Sequence, residues 1–286
     1  MLNLRVYKIM NRTFMKTRQE KLEAFGRILD ILDELRVKCP WDREQTTQSL
    51  RPQTIEEVYE LSDAILKDDM KNISKELGDV LLHVLFYAKI GEEQNEYDIV
   101  DVINFLSDKL IYRHPHVFSS VEVADSAEVV KNWEMLKTKE KDGNRRILSG
   151  VPDTLPPLLK AYRMQDKARG VGFDWGEKSQ VWDKVKEEMN EYQAELDAID
   201  AAESEEDRAA AFARAEVELG DYLFAVVNAA RLYGLNPDTA LERTCAKFKR
   251  RFTYLEEHTI RQGRNLKDMT LAEMDEIWDE AKAKGL

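Results

Sequence analysis

Apolar residues recur at intervals of three and four along most of the chain. Leu22, Phe25, Ile28, Leu29, Leu32 and Leu35 make one stripe, and Ile55, Val58, Tyr59, Ser62, Ile65 and Leu66 follow the same spacing. This is the period of an α-helix with one face turned to a core. Leu77 through Ala88 is apolar nearly all round, which predicts a central buried helix. The second half repeats the style over 181–196, 217–232 and 240–255. Val121–Val123 is the best strand candidate and is too short to matter. The pattern predicts an all-α protein.

Gaps in the pattern suggest the organisation. Gly143, Gly150, Pro152, Pro156 and Pro157 follow the charged run Lys139-Glu140-Lys141-Asp142, a composition of linkers rather than helices. The expected layout is an arm at 1–17, a helical module at 18–138, a linker at 139–152 and a second module at 153–286. The arm mixes basic and apolar residues without a clean apolar block, unlike a signal peptide, and Met15 is an alternative start. Residues 197–215 are rich in Ala, Glu and Asp, as expected of a solvated helix extension or insertion.

The two modules carry five features in the same order. Trp41-Asp42 is echoed by Asp174-Trp175, and Glu56-Glu57-Val58-Tyr59-Glu60 by Glu187-Glu188-Met189-Asn190-Glu191. Glu76-Leu77-Gly78-Asp79 returns as Glu218-Leu219-Gly220-Asp221, and Lys109 with Arg113 as Lys247 with Arg251. Trp133-Glu134 with Lys137 returns as Trp278-Asp279 with Lys282. Five features in register indicate a duplicated module, with a period too long for a solenoid.

Glu57 and Glu60, and Glu76 and Asp79, are each three apart, so each pair shares a helix face. Glu188 with Glu191 and Glu218 with Asp221 do the same in the second module. If the two helices of a module face each other, four carboxylates converge beside apolar surface. Such charges repel strongly unless a cation sits among them, and all-oxygen ligation suits Mg²⁺ first and Mn²⁺ second. A solvated acidic face is the plainer alternative. A di-iron bundle would want Glu-x-x-His pairs, and the third position here is Asp. Gly78 and Gly220 each cost about 1 kcal/mol inside a helix; close helix approach and room for a metal or phosphate are both compatible with them.

Lys247 and Arg251, flanked by Lys249 and Arg250, form a basic cluster of a kind that grips phosphate oxygens, or else pairs with Glu256 and Glu257. Pro115 ends the corresponding helix of the first module, leaving His114 and His116 as loop residues. Asn228 lies on an otherwise apolar helix and needs a partner, a ligand or a core carbonyl; its counterpart is Phe86. Trp278 suits either stacking on a base or core packing.

Composition narrows the function. With 55 acidic against 43 basic residues the net charge is −12, which argues against a nucleic-acid footprint or an anionic membrane surface as partner. No run reaches the roughly 18 apolar residues of a membrane span. Cys39 and Cys245 form no motif, and such usage suggests a reducing, cytoplasmic setting. No G-x-x-x-x-G-K-[ST] loop is present, which disfavours a motor-type ATPase.

Taken together, Cys39-Pro40-Trp41-Asp42, both carboxylate motifs in both modules, Arg113-His114-Pro115-His116-Val117-Phe118, Gly172-Phe173-Asp174-Trp175 and Lys247-Phe248-Lys249-Arg250-Arg251-Phe252 resemble the MazG nucleoside triphosphate pyrophosphohydrolases of the two-module bacterial type. The similarity runs from about residue 18 to the end. It implies an all-α bundle whose helices pack across a homodimer, and Mg²⁺-dependent hydrolysis of ribo- and deoxyribonucleoside triphosphates to monophosphate and pyrophosphate. It places the main activity in the second module. Metal ligation then falls to Glu188, Glu191, Glu218 and Asp221, with a second possible site at Glu57, Glu60, Glu76 and Asp79. Glu187 or Glu188 would activate water, Lys247 and Arg251 would hold the departing pyrophosphate, and Lys184, Asn228, Arg250 and Trp278 would bind substrate. Two other readings stay open: a non-catalytic nucleotide-sensing bundle, and a pyrophosphohydrolase of a phosphoribosyl nucleotide.

Overall fold

The computed structural model describes residues 16–125, 128–129, 132–133, 135–136 and 146–286, and every regular element among them is helical. The chain divides into two compact units between Tyr112 and Arg113. Residues 1–15 of the expected arm, Glu134 and Lys137 of the last repeated feature, and 139–145 of the expected linker lie outside the described residues.

The first unit holds α1 (Arg18–Lys38), α2 (Pro40–Glu44), α3 (Thr47–Leu66) and α4 (Met70–Glu93); α5 (Ile99–Arg113) ends at the division. Local sequence sets the ends. Thr17 with Glu20, and Thr46 with Ser49, form reciprocal caps for α1 and α3. Asp68 turns the chain at φ +53°, and the Asp69 carboxylate accepts from the Asn72 backbone N–H to start α4. α3 and α4 thus form an antiparallel hairpin. Its core is Leu32, Leu50, Leu85, Phe86 and Ile90, flanked by Phe25, Ile28 and Leu29 of α1. Gly91 is required: a Cβ there would lie 2.6 Å from the Tyr97 ring.

The structure revises one expectation. The run from Leu77 to Ala88 is not buried all round: Leu77 is 52% exposed, and Leu81 and Val84 are also open. One face of α4 packs inward while the other presents apolar side chains outward. Among the residues of α5 none is buried, and Val100, Ile103, Phe105, Leu106 and Leu110 are exposed.

The second unit holds α6 (Pro115–Phe118), α7 (Pro157–Gly170), α8 (Val181–Ala201), α9 (Glu205–Leu232), α10 (Pro237–His258) and α11 (Leu271–Ala283). Residues 197–215 form the end of α8, a turn capped by Ser204 and the start of α9, so the acidic segment lengthens a hairpin. Gly234, at φ +73°, lets the chain leave α9, and Asn236 and Pro237 open α10. Val181, Val185, Ala225 and Ala229 form the core between α8 and α9. Farther along this hairpin a cleft of about 540 Å³ opens between Tyr192, Leu196, Ile199, Phe212 and Leu219.

Candidate metal and nucleotide site

The hairpin of α8 and α9 brings Glu188, Glu218 and Asp221 together, with carboxylate oxygens all within 4.8 Å of one another. Glu188 is buried. Lys184, one turn before it, places its ammonium 2.6 Å from Glu188 and 2.8 Å from Glu187, and both carboxylates hold its pKa above the ordinary lysine value. Burial, then the charges of Glu191, Asp221 and Glu188, push Glu218 above the usual carboxylate range. Glu191 falls outside the three-carboxylate group but acts on it electrostatically. Three convergent carboxylates are the donor set of a hard divalent cation.

The hairpin of α3 and α4 repeats the arrangement with Glu57, Glu76 and Asp79, again within 4.8 Å. Glu76 is buried; its Oε1 accepts from Lys75 at 3.1 Å, and its Oε2 has no hydrogen-bond partner among the described residues. An orphaned buried acceptor costs roughly 1–3 kcal/mol, a cost a bound cation removes. Burial first, then Asp79, Glu60 and Glu76, raise the Glu57 pKa. Glu60 stands outside the group as Glu191 does.

The neutralising lysine differs between the hairpins. Lys75 comes from α4 and also approaches Asp79 at 3.8 Å. Lys184 comes from α8, where the matching residue of α3 is Gln53.

The remaining predicted residues sit elsewhere in the second unit. Lys247 and Arg250 are exposed on α10. Arg251 is half-buried and donates through Nε to the Leu286 carbonyl at 2.7 Å. Trp278 packs on Phe248, with ring centres 5.1 Å apart, and Phe248 stacks on Phe252. Among the described residues no bond joins Lys247, Arg250, Arg251 or Trp278 to the carboxylates. Gly78 and Gly220 face open space: an added Cβ at either would meet nothing within 4 Å. Close helix approach within the chain therefore does not account for them.

Three features went unseen in the sequence. The Asn228 partner is Arg231, whose guanidinium also pairs with Asp174 of the G-F-D-W segment. In the first unit, Thr54 Oγ1 bonds His83 Nδ1 at 3.0 Å and the Tyr87 hydroxyl at 2.6 Å. Lys75 is the third. An arginine inside the apolar run 223–232 was the available signal for the first, and the i, i+4 spacing of Lys75 and Asp79 for the third; the Thr54 group depends on which helix faces which.

The MazG nucleotide pyrophosphohydrolase domain matches residues 45–118, the stretch that carries the first hairpin. A nucleoside triphosphate pyrophosphohydrolase of Escherichia coli K12 is 39% identical over 268 residues, which span 91% of this chain and 98% of that protein. The chain belongs to the MazG family. A MazG nucleoside triphosphate pyrophosphohydrolase/pyrophosphatase of Thermotoga maritima is 38% identical across 90% of this chain and 95% of its own length. The uncharacterized protein YabN of Bacillus subtilis is 46% identical over 93% of this chain, which covers 53% of that protein. These MazG relatives span both carboxylate hairpins, and the helical fold is that of the family.

Proposed function

We propose that the chain hydrolyses nucleoside triphosphates, ribo and deoxyribo, to the monophosphate and pyrophosphate, with its main site in the second module, residues 153–286. The observation that carries this is the Glu188–Glu218–Asp221 group, with Lys184 beside it and Asn228 farther along the same face of α9. Glu188, Glu218 and Asp221 are the residues to hold Mg²⁺, or Mn²⁺ in its place, with Glu191 adding its charge beside them. When bound, the cation neutralises the polyphosphate and polarises its oxygens.

The protein's own groups do the rest. Glu187 is exposed and held by Lys184; Glu187 or Glu188 orients a water and takes its proton as the water oxygen attacks the α-phosphorus. The bond from that phosphorus to the bridging oxygen breaks, and the electron pair leaves with pyrophosphate. Lys247 and Arg251 donate to the departing oxygens; the Arg251 terminal nitrogens are free for this, since only Nε is engaged among the described residues. Arg250 and Trp278 border the nucleotide. Glu57, Glu76 and Asp79, with Glu60 beside them, are the candidate second cation site, supported by the orphaned Glu76 oxygen.

A homodimer completes the reading. The open apolar faces of α4 and α5, and the cleft beyond the carboxylates of α8 and α9, are surfaces that a second copy would cover. Among the described residues no helix is long and apolar enough to cross a membrane. The free thiols of Cys39 and Cys245 support a cytoplasmic setting, with no stable nucleic-acid partner for so acidic a chain.

Product analysis tests the reaction. The whole chain should convert ATP, dATP, dGTP and dUTP to monophosphate plus pyrophosphate only when Mg²⁺ or Mn²⁺ is present. Diphosphate and inorganic phosphate as products would refute it, as would turnover indifferent to chelation. Sedimentation giving a monomer at micromolar concentration would remove the dimer.

A further inference from the structure

Asn228 is anchored by a residue that fixes which of its two polar atoms is free. Arg231 is buried on α9, its side chain 5% exposed. Its guanidinium grips both oxygens of Asp174, and it reaches Asn228 Oδ1 from Nε at 3.1 Å and from a terminal nitrogen at 2.8 Å. Asp174 is itself held by the Trp175 backbone N–H at 3.0 Å. A guanidinium only donates, so the Asn228 atom facing it is the carbonyl oxygen. The amide nitrogen Nδ2 points the other way and has no partner among the described residues. Burial pushes the Asp174 pKa up, but Arg231, the Trp175 N–H and Arg169 outweigh it, so the carboxylate stays ionised and the clamp stays closed at neutral pH.

The free amide lies where a substrate would extend. Asp221 and Asn228 are seven residues apart, two turns of α9. They share a face to within about 20° and differ by about 10 Å along the axis. A ligand whose phosphates lie at Glu188, Glu218 and Asp221 and which runs along α9 brings its nucleoside to Asn228. The first module has no such device: Phe86 replaces Asn228 and is buried, and Lys89, in the Arg231 position, pairs with Asp33 and Glu92.

We infer that Arg231 and Asp174 are positioning residues that lock Asn228 as a hydrogen-bond donor, so that this position reads an acceptor atom on the nucleoside half of the substrate. The inference rests on the second-module carboxylates being the phosphate site. It also accounts for the G-F-D-W segment, whose Asp reaches across 57 positions of sequence to set the polarity of one amide.

The test separates nucleoside from phosphate binding in the full chain with Mg²⁺. Two probes are titrated calorimetrically, α,β-methylene-ATP and inorganic triphosphate. Asn228→Asp and Asn228→Leu remove the donor, Arg231→Met releases it, and Glu218→Gln disables the phosphate site. Loss of one good hydrogen bond predicts about tenfold weaker binding of the nucleotide analogue. Inorganic triphosphate should stay within about twofold of wild type for both Asn228 variants. With ATP as substrate, KM should rise while kcat changes less than about threefold, and Arg231→Met should add little on top of Asn228→Leu. Similar losses for ATP, GTP, CTP and UTP would put the acceptor on the sugar; a loss confined to some bases would put it on the base edge. Nucleotide affinity unchanged in folded Asn228 variants would overturn the inference, as would an equal loss for inorganic triphosphate. If Glu218→Gln weakened neither probe, the phosphate-site reading itself would fall, and the inference with it.

Discussion

The two hairpins carry the same carboxylates but fill the space behind them differently. Between α3 and α4, Thr54, His83 and Tyr87 form a hydrogen-bonded group. The matching positions between α8 and α9 are Val185, Ala225 and Ala229, small apolar side chains in close contact. Two turns beyond the last acid, the first hairpin buries Phe86 in its core under the Arg36 guanidinium, 5.4 Å above the ring. The second offers the amide of Asn228. One ligand geometry thus has two surroundings. The first is closed by a buried aromatic ring, and the second presents a half-buried amide. What separates the modules is not the acids but the residues behind them.

Substitutions at these positions break or sharpen the contrast. The largest effect should come from Phe86→Asn, which opens a cavity and buries an amide. It should cost about 4 kcal/mol or more in urea unfolding followed by tryptophan fluorescence. Asn228→Ala, at a half-buried position whose loss unpairs only part of Arg231, should cost about 2 kcal/mol. Equal costs would mean that the two positions are alike. Tyr87→Phe should cost about 1 kcal/mol through its bond to Thr54. Little further loss should follow when Thr54→Val is added; full additivity would show that the group is not coupled.

The smallest effect concerns pH. Glu57 and Glu218 have raised pKa values, so the folded chain holds protons on them that the unfolded chain has released. Stability from these groups is therefore present at low pH and falls as pH rises through their raised values. Without metal, the Tm of wild type relative to Glu218→Gln should decline across that window, and Mg²⁺ should reverse the decline by stabilising the ionised forms. Glu218→Gln should flatten its share of the slope. A cation-free Tm that rises over the same window in wild type relative to Glu218→Gln would contradict the assigned direction.

Much of this was legible from residue order. Helical stripes and the i, i+3 spacing of Glu218 and Asp221 are local properties, and the helices form where the stripes lie. The convergence of Glu188 with Glu218 and Asp221 followed once two amphipathic helices were joined as a hairpin. What escaped depends on distant pairing. Asp174 and Arg231 are far apart in sequence, and nothing local announces their contact. Lys75 and Lys184, by contrast, reach acids one turn away on their own helices, a local spacing that went unread. Leu77 and Leu81 looked like core because the run from Leu77 to Ala88 is apolar nearly all round, and apolar composition alone does not bury a side chain.

The central claim, that equivalent acids do unequal work in the two modules, is tested most directly by one paired measurement. Radiolabelled ATP is hydrolysed with Mg²⁺ by the full chain carrying either Glu218→Gln or Glu76→Gln, and monophosphate and pyrophosphate are quantified. Glu218→Gln should lower kcat/KM by roughly a hundredfold or more, while Glu76→Gln should stay within about threefold of wild type. The reverse order, or equal losses from both, would contradict the account.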